Sequence, residues 1–273
     1  MIEVLLEPFT EFAFMRRALV GSLAISMTAP PIGVFLMLRR MSLMGDAMGH
    51  AILPGAAIGY LLAGLSLFAM SLGGFAAGLA VALAAGLVAR SRVIREDASL
   101  AGFYLLSLAL GVFLVSVHGT NVDLLHVLFG SVLALDDAAL LLVAGIATVS
   151  LITLASIYRP LVLECFDSHY LRSVSRWSSP THLIFLVLVV LNLVAGFQAL
   201  GTLMAVGIML LPAVSSRFWA DSAGGMIAVA VIAAYLSSMA GLLISYHYSV
   251  PTGPTVMLAC GAFSLSSMHA GRR

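Results

Sequence analysis

Apolar runs of about 20 residues follow one another along almost the whole chain, each long enough to cross roughly 30 Å of hydrocarbon as a helix. Breaks at charges, glycines and prolines divide them into candidate spans at 18–38, 42–63, 67–89, 99–117, 138–157, 182–199, 201–218, 226–246 and 253–270. Nine crossings is the preferred count and eight the alternative. The tightest stretch is 182–218, where two crossings share the length and only Gly196 and Gly201 offer a break, so a short re-entrant helix competes there. No length is left for a soluble domain, and residues 1–273 read as one all-α, polytopic transmembrane bundle.

Composition strengthens the pattern: with 62% hydrophobic and 9% charged residues and a mean hydropathy of +1.12, the chain lies far outside the range of water-soluble domains. A cleavable signal peptide is not expected, because Glu3, Glu7 and Glu11 stand where such a segment would be basic and then apolar. All 13 basic residues are arginine. Under nine spans the groups Arg39 and Arg40, Arg90, Arg92 and Arg95, Arg159, Arg172 and Arg176, Arg217, and Arg272 and Arg273 share one side, which the positive-inside rule makes cytoplasmic. Arg16 and Arg17 are the exception, falling on the outer side with His118, Asp123, His126, Asp136, Asp137 and the Tyr246–Pro251 turn.

Several chemistries are excluded. A P-loop needs the lysine of G-x-x-x-x-G-K-[ST], and the chain has no lysine, so it does not bind ATP in that way. Neither an H-E-x-x-H zinc-protease motif nor a G-x-S-x-G nucleophile elbow occurs. Cys165 and Cys260 fall at different membrane levels and are expected to be unpaired. No partnership with nucleic acid is expected.

The stretch MSLMGDAMGHAILPG, residues 41–55, carries the chemistry. Ionisable residues inside a span cost about 2.5–3.5 kcal/mol apiece on insertion scales, so they usually face a cavity or a partner. Asp46 and His50 are four residues apart, just over one helical turn, and project from one face. Such a pair can grip one metal ion, and an imidazole with a carboxylate suits Zn(II), Mn(II) or Fe(II) better than Ca(II) or Mg(II). An Asp–His hydrogen bond that merely neutralises itself inside the bundle is the plain alternative. Two protein ligands are too few for selective binding, and a second copy of the helix would complete the set. Gly45 and Gly49, then Gly55 and Gly59, form small-x-x-x-small pairs that allow close helix approach, either across a two-fold axis or within one subunit.

These residues carry a resemblance. The run LRRMSLMGDAMGHAILPG, 38–55, resembles the most recognisable motif of the membrane-spanning subunits of ABC importers for zinc, manganese and iron. NVDLLHVLFGSVLAL at 121–135, ALGTLMAVGIMLLPAVSSRF at 199–218 and VPTGPTVML at 250–258 follow in the expected order, so the similarity covers nearly the whole chain. The resemblance implies a type II ABC-importer-like permease, homodimeric and multi-pass in the bacterial cytoplasmic (inner) membrane. It also implies two cytoplasmic ATPase subunits and an extracytoplasmic metal-binding solute receptor as partners, besides membrane lipid. No cofactor is bound permanently; the metal is cargo, and ATP belongs to the partner. In the family the aspartate and histidine of this motif are associated with the metal path, and they match Asp46 and His50.

A cytoplasmic loop with a coupling helix gives the family's ATPase its grip, and the candidate here is the loop at 158–181. The stretch ECFDSHYLRSVSRWSSPTH at 164–182, which covers most of it, is the longest polar stretch in the chain. Phe166 and Asp167 match the start of the family's F-D-x-x-x-A-x-x-x-G pattern, whereas Leu171 and Ser175 replace its small residues. An ordinary solvated loop is the alternative. Asp123 and His126 would share a helix face and could draw cations into an entry funnel, or serve as solvated or receptor-contacting groups. His247, just before SVPTG, is a further metal-path candidate, because relatives often carry an aspartate at the position of Ser249. His118, His169, His182 and His269 lie at span ends, where such side chains settle without a special task. Met41, Met44, Met48, Met204 and Met209 read as packing, and Pro30, Pro31, Pro54 and Pro212 should kink or break helices.

The sequence therefore points to a transport subunit, not an enzyme, that passes zinc or manganese, with iron as a third candidate; the MSLMG form leans toward manganese. A permease for vitamin B12 or siderophores and a proton-coupled secondary metal transporter are the competing classes.

Overall fold

The computed structural model describes residues 2–64, 66–89, 96–117, 135–166 and 178–270. The described residues form the helices α1 (Ile2–Glu11), α2 (Ala13–Leu38), α3 (Ser42–Ala51), α4 (Leu53–Ala63), α5 (Leu67–Ala89), α6 (Glu96–Val117), α7 (Asp137–Phe166), α8 (Ser178–Leu200), α9 (Thr202–Ser216), α10 (Ala223–Tyr248) and α11 (Thr252–Ala270). By length and composition α2, α5, α7, α8 and α10 can cross a membrane, while α6 and α9 contain shorter apolar segments.

The departures from the sequence expectation have physical causes. The span expected at 42–63 is two helices joined at Ile52, because Pro54 has no amide hydrogen for the His50 carbonyl. In contrast, α2 runs unbroken through Pro30 and Pro31, and α9 through Pro212. Residues 158–166, expected to open the cytoplasmic loop, continue α7. The buried face of that helix, Ser150, Leu154, Ile157, Leu161 and Glu164, keeps its helical spacing past the expected end. Gly201 (φ 86°) turns the chain between α8 and α9, Gly196 packs on Ala205 across that turn, and the second helix of the pair has 15 residues.

Close approach sets the packing. A Cβ on Gly55 would lie 2.0 Å from the Gly73 carbonyl oxygen, and one on Gly33 would lie 1.8 Å from the Met209 carbonyl oxygen, so α4 touches α5, and α2 touches α9, backbone to backbone. Helix α9 sits among α2, α3, α8, α10 and α11. Val34 clusters with Met226 at one end and Phe12 meets Tyr246 at the other, which makes α2 and α10 antiparallel. Arg17 pairs with Asp137 and Arg39 with Glu164, which makes α2 and α7 parallel and puts Arg17 at the end opposite Arg39. Polar links join helices inside the bundle: Asn192 Nδ2 donates to Ser150 Oγ at 2.8 Å and Gln198 Nε2 to Ser71 Oγ at 3.0 Å. The outer surface is as apolar as the core, with Leu62, Phe113, Leu141, Ile152 and Leu258 all exposed, as a lipid-facing surface requires.

Gly55→Val is expected to force α4 from α5 and destabilise the bundle by about 1–3 kcal/mol. Gly86→Ala, where nothing stands within 4 Å of the added carbon, should be neutral or stabilising by about 0.5–1 kcal/mol. Thermal melting of the two purified variants in one detergent checks the contrast.

Candidate metal site

Asp46 and His50 stand on successive turns of α3, with His50 Nε2 3.8 Å from Asp46 Oδ1. The rotation of α3 is set by its other faces. Gly45 meets Met209 and Leu210, and Gly49 meets Val206, so α9 presses against the glycine side. Met44, Ala47, Met48 and Ala51 are buried in the subunit's own core. What remains is an outward stripe of Leu43, Asp46 and His50, in which the two ionisable side chains are 62% and 35% exposed. All four glycines of the two small-residue pairs contact helices of the same subunit, Gly55 and Gly59 lying against Gly73 and Ala69 of α5.

Helix α6 supports the imidazole. The Tyr104 ring stacks on His50 with centroids 6.2 Å apart and planes at 27°. One turn on, Ser107 Oγ donates to the Ala51 carbonyl at 3.1 Å, satisfying an acceptor at the α3–α4 break. His50 Nδ1 is buried and makes no hydrogen bond to the described residues, while Nε2 faces the carboxylate. The result is a carboxylate and an imidazole oriented side by side with spare coordinating capacity. Among the described residues no third His, Cys, Asp or Glu joins them.

The remaining candidates are dispersed. His247 is in the last turn of α10, its Nδ1 2.9 Å from the Leu243 carbonyl and its ring edge-on to Tyr246. It does not join Asp46 and His50 within the subunit. Asp123, His126, Asp167, Leu171 and Ser175 lie outside the described residues. Phe166 ends α7 with 85% of its surface exposed. Met204, Met209, Met44 and Met48 are buried among apolar side chains, where they pack. Cys165 and Cys260 are both free thiols.

Two groups of residues were missed in the sequence. Tyr104 gives no local signal, since its role depends on α6 lying beside α3. The other group is Arg39, Glu164 and His182. Arg39 Nη2 is 3.1 Å from Glu164 Oε1 and contacts His182 Nδ1, so His182 is no idle span-end residue. The periodicity of α7 gave the clue, because Glu164 continues its buried stripe.

The chain matches the ABC 3 transport family over residues 11–271. It belongs to that family. It is similar to the manganese import system permease protein ScaB of Streptococcus parasanguinis, with 32% identity over 98% of this chain and 94% of the relative. A protein of Haemophilus influenzae named "Probable iron transport system membrane protein" is 30% identical over 96% of this chain and 95% of its own length. The solved structure of PsaBC from Streptococcus pneumoniae in complex with Fab superposes with a TM-score of 0.88 at 29% identity, covering 99% of this chain and 96% of that one. This ABC 3 chain is thus a membrane permease of the metal ABC importer class and a multi-pass protein of the cytoplasmic membrane.

Replacing Tyr104 by Leu is expected to remove the ring-current shift on the His50 imidazole, and Tyr104→Phe to retain it. The NMR resonances of histidine-labelled protein read this directly.

Proposed function

We propose that this permease moves manganese(II) into the cell, with Asp46 and His50 as its ligands on the path. The single observation that carries the proposal is the outward stripe of α3: an acid and an imidazole side by side on the face turned away from the subunit's own core. Against hydrocarbon that face would be costly. Against the same face of a second copy it brings two carboxylates and two imidazoles to one axis, a four-ligand set of the kind that accepts Mn(II), Fe(II) or Zn(II). The homodimer, with Asp46 and His50 from each copy, is part of the proposal.

Manganese is preferred over zinc because relatives across nearly the full length are named for manganese import, with iron as the next candidate. The chain has no lysine for a P-loop, so ATP hydrolysis belongs to a separate cytoplasmic subunit, gripped through the 164–182 region, whose Phe166 is exposed at the end of α7. A metal-binding receptor delivers the ion from outside. Alternating access then has a structural joint at Ile52, between an α3 that carries the ligands and an α4 packed backbone to backbone on α5.

Uptake into proteoliposomes holding the permease and its ATPase tests this. Asp46→Ala and His50→Ala are each expected to lower Mn(II) uptake at least about tenfold, the equivalent of roughly 1.4 kcal/mol lost per ligand. The same assay with zinc and iron ranks the metals. Normal uptake in both variants would return the pair to a packing role, and uptake driven by a proton gradient without ATPase would overturn the assignment to an ATP-driven importer.

A further inference from the structure

Three ionisable side chains unused by the transport path meet at the end of the bundle that holds Arg39. Its Nη2 lies 3.1 Å from Glu164 Oε1, with side-chain exposures of only 10% and 5%. His182 Nδ1 contacts the same Nη2 and lies 3.8 Å from Glu164 Oε1. The guanidinium also sits over the Phe185 ring, 5.1 Å from its centroid. A buried ion pair is a poor device for stability, since an apolar pair of similar volume often does as well or better, while breaking it from one side is strongly destabilising.

Position gives the cluster a role. Glu164 is in the last turn of α7 and His182 in the first turns of α8, so they bracket the region proposed to grip the ATPase. Arg39 caps α2 and is joined to α3 by a tight, closed turn. Arg40 takes the left-handed conformation (φ 58°), the Arg40 amide donates to the Met37 carbonyl at 3.0 Å, and the Met41 amide donates to the Leu36 carbonyl at 2.8 Å. That is the helix-ending motif usually built on glycine, here held by a residue that pays for it in backbone strain. From this rigid turn α3 leads directly to Asp46.

We propose that Arg39, Glu164 and His182 are positioning residues that lock α3, and with it Asp46 and His50, to the ends of α7 and α8, so that displacement of those ends by the ATPase is delivered to the metal pair. The proposal rests on the assignment of 164–182 as the ATPase contact. Losing the lock would uncouple hydrolysis from transport, whereas a purely structural cluster would affect both together or neither.

The test measures ATP hydrolysis and Mn(II) uptake together in proteoliposomes containing permease and ATPase. The double variant Arg39→Met with Glu164→Leu removes both charges at once and so avoids an unpaired buried ion. His182→Leu, which leaves the Arg39–Glu164 pair intact, is the second variant. Both are expected to keep the ATPase bound and its hydrolysis within about twofold, while manganese moved per ATP falls at least about tenfold, a loss on the scale of 1.4 kcal/mol. Arg39→Lys, which keeps a charge toward Glu164, is expected to recover the ratio in part. A parental uptake-to-hydrolysis ratio in the double variant and in His182→Leu would overturn the lock. Retention of the ATPase by Phe166→Asp would instead show that the contact lies elsewhere, and the lock would fall with that assignment.

Discussion

An aspartate within an apolar helix must be given something better than hydrocarbon to face, and the setting of α3 is the fold's answer to that constraint. A helix has no freedom to move one side chain without its neighbours: turning α3 by one residue's worth, about 100°, would bury Asp46 and expose Ala47 or Gly45. The two glycines fix that angle. Because Gly45 and Gly49 admit Met209 and Val206 of α9 close to the α3 backbone, the ionisable stripe is driven to the opposite side. The small residues therefore set where Asp46 and His50 point without touching them.

The same helix is short for a reason that the backbone explains. It spans ten residues, Ser42–Ala51, or about 15 Å at 1.5 Å per residue. One end is closed by the strained turn at Arg40 and the other stops at Ile52, just before Pro54, which has no amide to donate. Beyond that break α4 is pinned to α5 by the Gly55–Gly73 contact. The helix that bears Asp46 and His50 thus lies between a closed turn and a break, while its continuation packs backbone to backbone on a neighbour.

The helical pattern was legible because an apolar run repeats a signal over 20 or so positions, and Asp46 with His50 was legible because four-residue spacing has one geometric meaning on a helix. What remained hidden depended on rotation and neighbours. The small-residue pairs announced close approach but not its partner, and they contact α5 and α9 of the same subunit. Pro54 ends a helix while Pro30, Pro31 and Pro212 lie inside helices that continue. The residue type is identical, and the packing around it decides whether the backbone reseals. Tyr104 could not be assigned without knowing that α6 runs beside α3. Glu164 was half visible, since its place in the buried stripe of α7 could be counted, but the arginine and histidine that meet it come from positions 125 residues before and 18 after it.

The two ion pairs along α2 differ in kind, and the difference assigns the ends of the bundle different mechanical characters. Arg17 and Asp137 are joined at 3.0 Å but are 35% and 85% exposed; such a surface pair contributes about 0–1 kcal/mol and can open and close with little consequence. Arg39 and Glu164, at nearly the same distance, are enclosed with His182 and Phe185, where separation would leave a charge stranded in an apolar site. Helices α2 and α7 run parallel between these two contacts. The ion pair between them is therefore costly to break at the Arg39 end and cheap to break at the Arg17 end. The tight turn at Arg40 joins α3 to α2 at the enclosed end, so the helix that bears Asp46 and His50 starts directly from the contact that is costlier to break.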